Sequence, residues 1–430
     1  MLPGAPAACH ADPIYRSTPP ASTSSAKSSP ASAHSTVRPG QRSRRYPRPD
    51  GGEGSSSVLV SSLPTDTDVL VIGAGIAGLC TALYLARAGR TVAVIDRGEP
   101  WGDASGANAG TLSVQIKRPE VLNITRRAVE LWQGFKAEFG IDVGFGRPGG
   151  LRVATNEREI DMLRRSQVEQ RELGLDTEWL DGNRLRDLAP WLGPTVTAAT
   201  LCDWDAYSSP LQAGHAIIQG ARHAGVAILG AAAATAIAEV SPGYRVTTGA
   251  GTITARVLVI AAGAWSGEAA RMLGIDLPVS ADVNMLSVTE PTAPLLDRVV
   301  THIGGILSLK QYPNGTCLIG GGWQGRGGLS TGVKEIGYEN LLHNLRVAAN
   351  VVPALARLRL VRSWAGFEGV VPDALPLFGP LPGRAGVYVN ACARGGYSQG
   401  PALGHLMAEL ITSGRTSLPM ERFAPKRFAA

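Results

Sequence analysis

The chain has 430 residues and a formal net charge of +6, with 44% hydrophobic and 18% charged residues. Residues 1–64 hold seven Lys or Arg against three Asp or Glu, so the other 366 residues carry only +2, too little for a nucleic-acid-binding surface. The longest apolar stretches, around Val257–Trp265 and Gly225–Ala238, are shorter than the roughly 18 residues that a membrane-spanning helix needs. Neither a nucleic-acid-binding protein nor a membrane-spanning protein is predicted.

Residues 1–64 form a low-complexity tail that we expect to be disordered. They contain 14 Ser and 10 Pro and no long apolar run, so they cannot bury enough surface to offset their chain entropy. The segment is rich in Arg and Ser, as organelle transit peptides are, but it lacks their amphipathic pattern and the apolar core of a secretory signal. We interpret it as a solvated extension, or as residues upstream of the true start codon, with targeting as the alternative.

The cysteines indicate the redox environment. They are five in number, and no two lie within four residues of each other: Cys9, Cys80, Cys202, Cys317 and Cys392. This spacing argues against a disulfide framework and against a zinc knuckle, and it fits a reducing compartment. We therefore predict a cytoplasmic protein without a metal site.

The first element of the fold is a complete strand–turn–helix–strand unit. Asp68–Ile72 is a short β-branched run, typical of a buried parallel strand, and it leads into Gly-Ala-Gly-Ile-Ala-Gly at residues 73–78. A helix is predicted over Leu79–Arg90, followed by a second strand over Thr91–Ile95. This pattern is the dinucleotide-binding fingerprint and not an isolated glycine motif.

Each part of the fingerprint has a physical role. Gly73 permits the tight turn, Gly75 lets the backbone approach a pyrophosphate, and Gly78 lets the helix pack closely on the strand. The helix N-terminus offers free N–H groups to the phosphates, and an acid 18 residues after the last glycine accepts hydrogen bonds from a ribose, which disfavours NADP. The predicted contacts are Gly73, Gly75, Ile76, Ala77, Gly78, Asp96 and Arg97.

The segment after the second strand favours FAD over NAD. Trp101–Gly110 is a loop of small residues, which permit close approach to a flat ring system. An NAD-dependent dehydrogenase would place a helix there and has no use for such a loop. It remains the less favoured alternative.

Four ordered stretches resemble the D-amino-acid oxidase family of FAD enzymes, which includes glycine oxidase and the sarcosine oxidase β subunit. Ser105–Gly110 is similar to the family's Ser-x-x-Asn-x-Gly loop, and Arg256–Ser266 looks like its central strand and turn. Pro372–Gly379 resembles Asp-x-x-Pro-x-x-Gly, and Gly386–Ser398 resembles the glycine turn that opens a helix under the flavin. The resemblance covers about Thr67 to Phe428.

This resemblance implies an α/β fold and a bound FAD. The flavin side of the site would comprise Ser105, Asn108, Ala109, Gly110, Ala262, Gly263, Trp265, Gly395, Gly396, Tyr397 and Ser398. FAD is expected to be non-covalent, because no cysteine lies between Val361 and Ala391, near the position of the covalent-flavin cysteine in monomeric sarcosine oxidases. Backbone N–H groups at the last helix start could stabilise negative charge on the reduced flavin.

The remaining segments predict a second domain interleaved with the first. We expect a Rossmann-like FAD-binding domain over residues 65–141, 202–277 and 358–430, and a mixed-sheet α+β substrate domain over residues 142–201 and 278–357. Asn314-Gly315 between two strand-like runs predicts a hairpin in the second domain. Substrate is expected to bind between the two domains.

The substrate pocket departs from the family pattern. Trp364–Gly369 looks like the family's Gly-[Leu/Phe]-Arg-Pro, but Glu368 stands where an Arg would clamp the substrate carboxylate. This argues against a glycine or simple D-amino acid bound in the usual way, and Glu368 would attract a cation such as a secondary amine. Alternatively, Glu368 is a solvated or structurally paired acid. The candidate pocket residues are Glu368, Lys310, Arg394 and Tyr397, with Lys117, Lys310 or Arg394 binding the carboxylate.

The resemblance implies oxidation of a C–N bond in an amino acid or secondary amine of the opine, glycine or N-alkyl type. A hydride passes to flavin N5, and the resulting imine hydrolyses. The chain looks most like catalytic subunits of opine oxidase and cyanide synthase, which work with a second flavoprotein or an iron–sulfur subunit. The alternative is a flavin-binding subunit that has no chemistry of its own.

Overall fold

The structure is a computed structural model that describes residues 63–391 and 395–428. The predicted disordered tail lies outside the described residues apart from Leu63 and Pro64, and so does Arg394. The described residues all belong to the unit that spans Leu59–Ala430.

Within the described residues the strands, in chain order, are β1 (Asp66–Ile72), β2 (Val92–Ile95), β3 (Thr111–Leu112), β4 (Gly150–Ala154), β5 (Glu178–Asp181), β6 (Ala198–Cys202), β7 (Ala206–Tyr207), β8 (Ala227–Leu229), β9 (Ala234–Glu239), β10 (Tyr244–Thr248), β11 (Gly251–Ile260), β12 (Ser280–Thr289), β13 (Val299–His302), β14 (Ser308–Gln311), β15 (Cys317–Gly320), β16 (Arg326–Gly328), β17 (Val333–Glu335), β18 (Leu360–Val370), β19 (Leu377–Pro380) and β20 (Val387–Ala391). The α-helices are α1 (Ile76–Arg87), α2 (Leu122–Phe139), α3 (Glu157–Glu172), α4 (Gly182–Leu188), α5 (Pro210–His223), α6 (Ser266–Arg271), α7 (Tyr338–Val351) and α8 (Gly396–Ser413). The predicted α/β fold class is confirmed.

The first sheet contains the dinucleotide fingerprint. Its strands run in the order β19-β20-β11-β1-β2-β8, and β10 and β9 extend it from β11. β1 pairs in parallel with both β2 and β11, so that Val71 stands beside Val94 on one side and Val259 on the other. All four residues from Val69 to Ile72 are buried, because helices or loops cover both faces of the sheet. This explains the continuous apolar run in the sequence.

The two helices that follow glycine turns begin earlier than the sequence predicts. α1 starts at Ile76 and not at Leu79, and α8 starts at Gly396 and not at Gly400. The first turn of each helix belongs to the glycine motif, so the apolar pattern that predicted the helix becomes regular only about one turn later. The glycine turns therefore lead directly into helix N-termini, where N–H groups lack intrahelical acceptors.

The second sheet is mixed, with the order β18-β12-β15-β14-β13-β4-β6-β5. It contains the hairpin predicted at Asn314-Gly315, which joins the antiparallel strands β14 and β15. β18 pairs with β12 from Val370, opposite Ser280, to Leu360, opposite Thr289. The sequence division had assigned residues 360–370 to the FAD-binding part, whereas their backbone pairing belongs to this sheet. The two-domain division itself remains a proposal, with β18 now grouped with the second sheet.

The described residues contain neither a membrane-spanning helix nor a metal-binding group. Among residues 63–391 and 395–428, no helix has the length and hydropathy needed to cross a membrane. The same residues contain no group of three or more His, Cys, Asp or Glu side chains placed to hold a metal ion.

Candidate FAD and substrate site

Four turns of the chain meet at one edge of the first sheet. β1 ends at Ile72, β2 at Ile95, β11 at Ile260 and β20 at Ala391, and these strands are parallel. The carboxyl ends of parallel strands lie at the same edge, which is where open α/β sheets bind ligands. The sequence motifs at residues 73–78, 96–97, 262–265 and 395–398 each come after one of these four strands in the chain.

The first turn has the geometry of a phosphate cradle. Gly73 donates its N–H to the Ile95 carbonyl at 2.8 Å. Gly73 has a φ of +114°, and a Cβ there would lie 2.4 Å from the Ala261 carbonyl oxygen. The first-turn N–H groups of Ala77 and Gly78 have no acceptor within α1, and the helix dipole places positive charge beside them. The turn therefore fits the pyrophosphate of FAD.

Asp96 fastens the end of β2 to this turn. Its Oδ2 accepts the Ala74 N–H at 2.7 Å and its Oδ1 accepts the Gly98 N–H at 2.9 Å. Burial raises the pKa of Asp96, although both backbone hydrogen bonds oppose that shift. A carboxylate has about four acceptor positions, so Asp96 retains capacity for a ribose hydroxyl. The predicted ribose contact is compatible with this arrangement and remains a prediction.

The small-residue loop lies against the start of α1. Ser105 Oγ accepts the Ile76 N–H at 2.9 Å. The Asn108 side chain folds back on its own loop, with Nδ2 donating to the Ser105 carbonyl at 2.5 Å and Oδ1 accepting the Gly110 N–H at 2.6 Å. Asn108 therefore fixes the loop shape, and the carbonyl of Ala109 accepts a 3.3 Å hydrogen bond from Tyr312. The loop Ser105–Gly110 therefore presents backbone groups to the site, because the Asn108 amide is hydrogen-bonded within the loop.

The third turn contributes an aromatic flank. Ala262 leads into a single 3-10 turn over Gly263–Trp265. The Arg97 guanidinium lies 4.8 Å from the Trp265 ring centroid, and its NH1 is 3.8 Å from Glu268. Because the two charged side chains are about half exposed, this ion pair adds little stability. The structure brings the predicted residues Arg97 and Trp265 together.

The fourth turn opens α8 and lies beside the small-residue loop. Gly395 has a φ of +76° and precedes Gly396, the first residue of the helix. Ser398 Oγ donates to the Gly395 carbonyl at 2.8 Å. The Tyr397 hydroxyl lies 2.7 Å from Ser208 Oγ, and the Ser208 N–H donates to the Gly110 carbonyl at 2.9 Å.

Burial raises the pKa of Tyr397 well above its ordinary value, so this side chain is a neutral phenol in the core. Trp101 and Trp132 pack against it with ring centroids at 6.1 and 5.1 Å. These contacts fix the position of α8 relative to the loop at Ser105–Gly110. Tyr397 was predicted as both a flavin contact and a pocket residue, and both roles remain predictions.

Glu368 stands at the junction of β18, β12 and α8. Its Oε1 accepts the Gly395 N–H at 2.9 Å, and its Oε2 accepts a hydrogen bond from Asn284 Nδ2. Asn284 Oδ1 in turn accepts Gln324 Nε2 at 2.5 Å. The carboxylate is half-buried and already partnered, which corresponds to the structural alternative for this residue. Its two remaining acceptor positions leave room for a cationic ligand.

Lys117 contacts the same turn. A Cβ on Gly395 would lie 2.2 Å from Lys117 Nζ, so the amine contacts the backbone that begins α8. Burial lowers the pKa of Lys117, and the negative charges of Glu368 and Asp205 oppose the shift. The Lys117 amine and the Glu368 carboxylate therefore both contact the Gly395 turn.

Lys310 is buried behind the small-residue loop. It lies on β14 with a relative exposure of 1%, and its Nζ donates to Thr111 Oγ1 at 2.7 Å. Burial lowers the pKa of Lys310 to about 7. Among the described residues it forms no ion pair with an acid.

Several residues of the site carry no recognisable sequence signal. They are Thr111, Ser208 and Gln324. Trp364 lies in a stretch that resembles a family motif, but the motif does not indicate that its Nε1 donates to the Ala107 carbonyl at 3.0 Å, which places β18 directly on the small-residue loop. Such contacts depend on which strands pair, and short motifs do not encode that information.

Comparison with known proteins identifies the class to which this geometry belongs. The family model described as DAO, FAD dependent oxidoreductase, matches residues 68–410. The chain belongs to this family, and FAD is its cofactor. The match spans the fingerprint, the small-residue loop and the glycine turn of α8, which are the segments that meet at the sheet edge.

Individual relatives are similar over most of their length. Glycine oxidase of Geobacillus kaustophilus is 29% identical over 369 residues, covering 84% of this chain and 97% of the relative. The beta subunit of sarcosine oxidase from Rhodobacter capsulatus is 27% identical, covering 84% and 88%, respectively. An opine oxidase subunit of Rhizobium meliloti is 24% identical, covering 85% and 98%.

A solved structure shows the same fold. The L-proline dehydrogenase of P. horikoshii superposes with a TM-score of 0.78 at 26% identity, covering 85% of this chain and 98% of the other. The resemblance inferred from the sequence motifs is therefore confirmed at the level of family and fold.

Proposed function

We propose that the protein oxidises the C–N bond of an amino acid or secondary amine by hydride transfer to flavin N5, giving an imine that hydrolyses. FAD supplies the acceptor for the hydride when it is bound. The similarity to a glycine oxidase and to subunits of a sarcosine oxidase and an opine oxidase supports an amine as the substrate. The observation that carries the proposal is the half-buried Glu368 at the N-terminus of α8, where a carboxylate can attract a cationic amine.

In this proposal each turn binds a different part of FAD. The N–H groups of Ala77 and Gly78 bind the pyrophosphate, and Asp96 accepts the ribose hydroxyl. The backbone at Ser105–Gly110 and at Gly395-Gly396 lies along the ring system. FAD is held without a covalent bond, which fits the buried Cys317, whose pKa burial raises to about 11, disfavouring the reactive thiolate.

The charges around Gly395 favour substrates that carry both an amine and a carboxylate. Glu368 would orient the ammonium or secondary amine, and Lys117, which contacts the same turn, would bind the carboxylate. This pattern suits opines and N-alkyl amino acids better than a substrate recognised by a bidentate Arg clamp. Glycine remains a candidate substrate because a glycine oxidase is among the relatives.

The test of this proposal is a steady-state comparison of amines with an artificial electron acceptor. The panel holds glycine, sarcosine, proline, D-amino acids and opines. At least one N-substituted amino acid should give a kcat/KM above that of every simple D-amino acid. Turnover of D-amino acids alone would contradict the substrate class.

The variant Glu368→Gln isolates the charge of that carboxylate. The amide oxygen can still accept the Gly395 N–H, while the negative charge and the hydrogen bond from Asn284 Nδ2 are lost. We expect kcat/KM for the best N-substituted substrate to fall about 10-fold to 100-fold, or about 1.4 to 2.7 kcal/mol. The exposed Glu239 on β9 provides the matched control, Glu239→Gln, which should leave kcat/KM unchanged. If both variants keep the wild-type kcat/KM, the charge of Glu368 does not contribute to substrate binding and the residue has a structural role.

A second protein chain is proposed as a partner subunit. Two of the relatives, from sarcosine oxidase and opine oxidase, are named as subunits and so belong to enzymes of more than one chain. We propose a second flavoprotein or an iron–sulfur protein as partner, in the cytoplasm. Full oxidase activity of the isolated chain, with no protein from neighbouring genes co-purifying, would contradict this. A flavin-containing chain that no amine reduces, alone or with its partner, would instead favour a non-catalytic subunit.

A further inference from the structure

The most unusual ionisable group outside the cofactor turns is Lys310. Its side chain is 1% exposed, and its Nζ donates a hydrogen bond to the neutral hydroxyl of Thr111. A buried ammonium without an acidic partner is unfavourable, so such a lysine tends to be neutral. The pKa of Lys310 is about 7, and burial is the sole cause of the shift.

Among the described residues around Lys310 none carries a negative charge, and the Tyr312 ring face is the group that can attract a cation. The Tyr312 ring centroid, two residues further along the chain, lies 5.6 Å from Nζ, and Tyr207 packs edge-on against Tyr312 at 5.4 Å. On the neighbouring strand β15 its partner in register is Leu318. Burial raises the pKa of both phenols, so neither is ionised near neutral pH. The immediate surroundings of the amine are therefore neutral.

The Lys310 amine is hydrogen-bonded to a hydroxyl at the end of the small-residue loop. Thr111 Oγ1 lies 2.7 Å from Lys310 Nζ and 2.7 Å from Ser308 Oγ. Lys310 and Ser308 are buried, whereas Thr111 is half-buried and follows Gly110 at the end of the small-residue loop. Access from the loop to the Lys310 amine therefore passes through the Thr111 hydroxyl.

The proposed reaction requires such a group. An amino acid or secondary amine reaches the enzyme as an ammonium ion at neutral pH, but a hydride leaves the adjacent carbon only when the nitrogen lone pair is free. A proton acceptor whose pKa lies near the working pH is best suited to remove that proton. Glu368 already accepts hydrogen bonds from the Gly395 N–H and from Asn284 Nδ2, so both of its oxygens are engaged.

We propose that Lys310 accepts the proton of the substrate ammonium group through the hydroxyl of Thr111. The substrate N–H bond breaks as its proton moves to Thr111 Oγ1, and the hydroxyl proton moves to the lone pair of Lys310 Nζ. The products of this step are a neutral substrate amine and an ammonium ion at Lys310, with no change of oxidation state. Lys310 does not touch the substrate in this scheme; it is a positioning residue that acts through Thr111. The inference rests on the proposed amine oxidation.

The first test follows anaerobic flavin reduction in the holoenzyme between about pH 6 and about pH 10, using the best amine of the panel. The wild-type rate should rise through about pH 7 and then level as Lys310 becomes neutral. Lys310→Met should lose this rise and reduce the rate about 100-fold at neutral pH. Thr111→Val should behave in the same way, whereas Thr111→Ser keeps the hydroxyl and should retain the rise.

Matched controls separate proton transfer from structural damage. Lys136 is exposed and paired with Asp142, so Lys136→Met should leave the pH profile unchanged. Retention of the rise near pH 7 in Lys310→Met or Thr111→Val would overturn the inference while leaving amine oxidation intact. If no amine reduces the wild-type flavin, the proposed function fails first, and the inference fails with it.

The lowered pKa of Lys310 can also be tested without substrate turnover, through the pH dependence of protein stability. A lysine whose pKa is lower in the folded than in the unfolded protein makes the fold more stable as the pH rises from about 7 towards about 10, because the unfolded chain then binds more protons. The melting temperature of wild-type holoenzyme should therefore rise relative to that of Lys310→Met over this range. A constant difference would show that Lys310 titrates normally and would overturn the inference.

Discussion

Replacing Gly78 by Ala is expected to yield a protein that no longer retains FAD. A Cβ at this position would lie 1.9 Å from the Gly73 carbonyl oxygen and 3.1 Å from Val71 Cγ1. The carbonyl is backbone in the turn that holds the pyrophosphate, so it cannot move aside without changing that turn. The start of α1 would instead separate from β1 and carry its N–H groups away from the phosphates. We expect FAD affinity to fall at least about 100-fold, or about 2.7 kcal/mol.

Gly134 provides the matched control for this substitution. It lies in α2, and a Cβ there would meet nothing within 4 Å. Gly134→Ala should bind FAD as the wild type does and should gain about 0.5 to 1 kcal/mol of stability from its better helix propensity. Equilibrium dialysis of apoprotein with FAD measures both variants. Wild-type affinity in Gly78→Ala would contradict the assignment of this turn to the pyrophosphate.

Replacing Asp205 by Ala is expected to cause the largest loss of stability among the substitutions considered. Asp205 is fully buried and accepts hydrogen bonds from Ser113 Oγ at 2.7 Å, the Val114 N–H at 2.6 Å and Gln115 Nε2 at 2.9 Å. Removing the carboxylate leaves these donors buried without acceptors. We expect a loss of about 3 to 5 kcal/mol in the free energy of unfolding.

The loss should also affect the site, since Ser113–Gln115 lies between Thr111 and Lys117. Urea denaturation of the holoenzyme measures the unfolding midpoint and slope. Asp276 is the control, because its side chain is 89% exposed and Asp276→Ala should change stability by less than about 0.5 kcal/mol. A change below about 1 kcal/mol for Asp205→Ala would mean that the donors around it find other acceptors.

The features that could be predicted from the sequence are local ones. The fingerprint turn is recognised from Gly73, Gly75 and Gly78, which stand close together in the chain; the positive φ of Gly73 and the contact of a Gly78 Cβ with the Gly73 carbonyl are local demands. The β14–β15 hairpin is likewise encoded in Asn314-Gly315, where Gly315 has a φ of +85°. The pairing of β18 with β12 joins residues about 80 positions apart, so no local pattern indicates it.

Local sequence patterns also fail to predict the contacts of the site residues. The motifs predicted Asn108 beside the cofactor and Glu368 in the substrate pocket, but they could not show that Asn108 bonds its own loop or that Glu368 accepts the Gly395 N–H. Asp205 has no sequence signal, because its role arises from donors that a separate segment brings to it. The ionisation of Lys310 depends on burial by neighbouring strands, which composition alone does not reveal.

We propose that this FAD enzyme oxidises amines. The most direct measurement is the visible spectrum of the purified holoenzyme under anaerobic conditions, before and after adding each amine of the panel and a set of matched hydroxy acids. We predict a two-banded flavin spectrum that an N-substituted amino acid bleaches, with one carbonyl product formed for each flavin reduced. Bleaching by hydroxy acids alone would contradict C–N oxidation, and a protein that shows no flavin spectrum even after reconstitution with FAD would contradict the cofactor site itself.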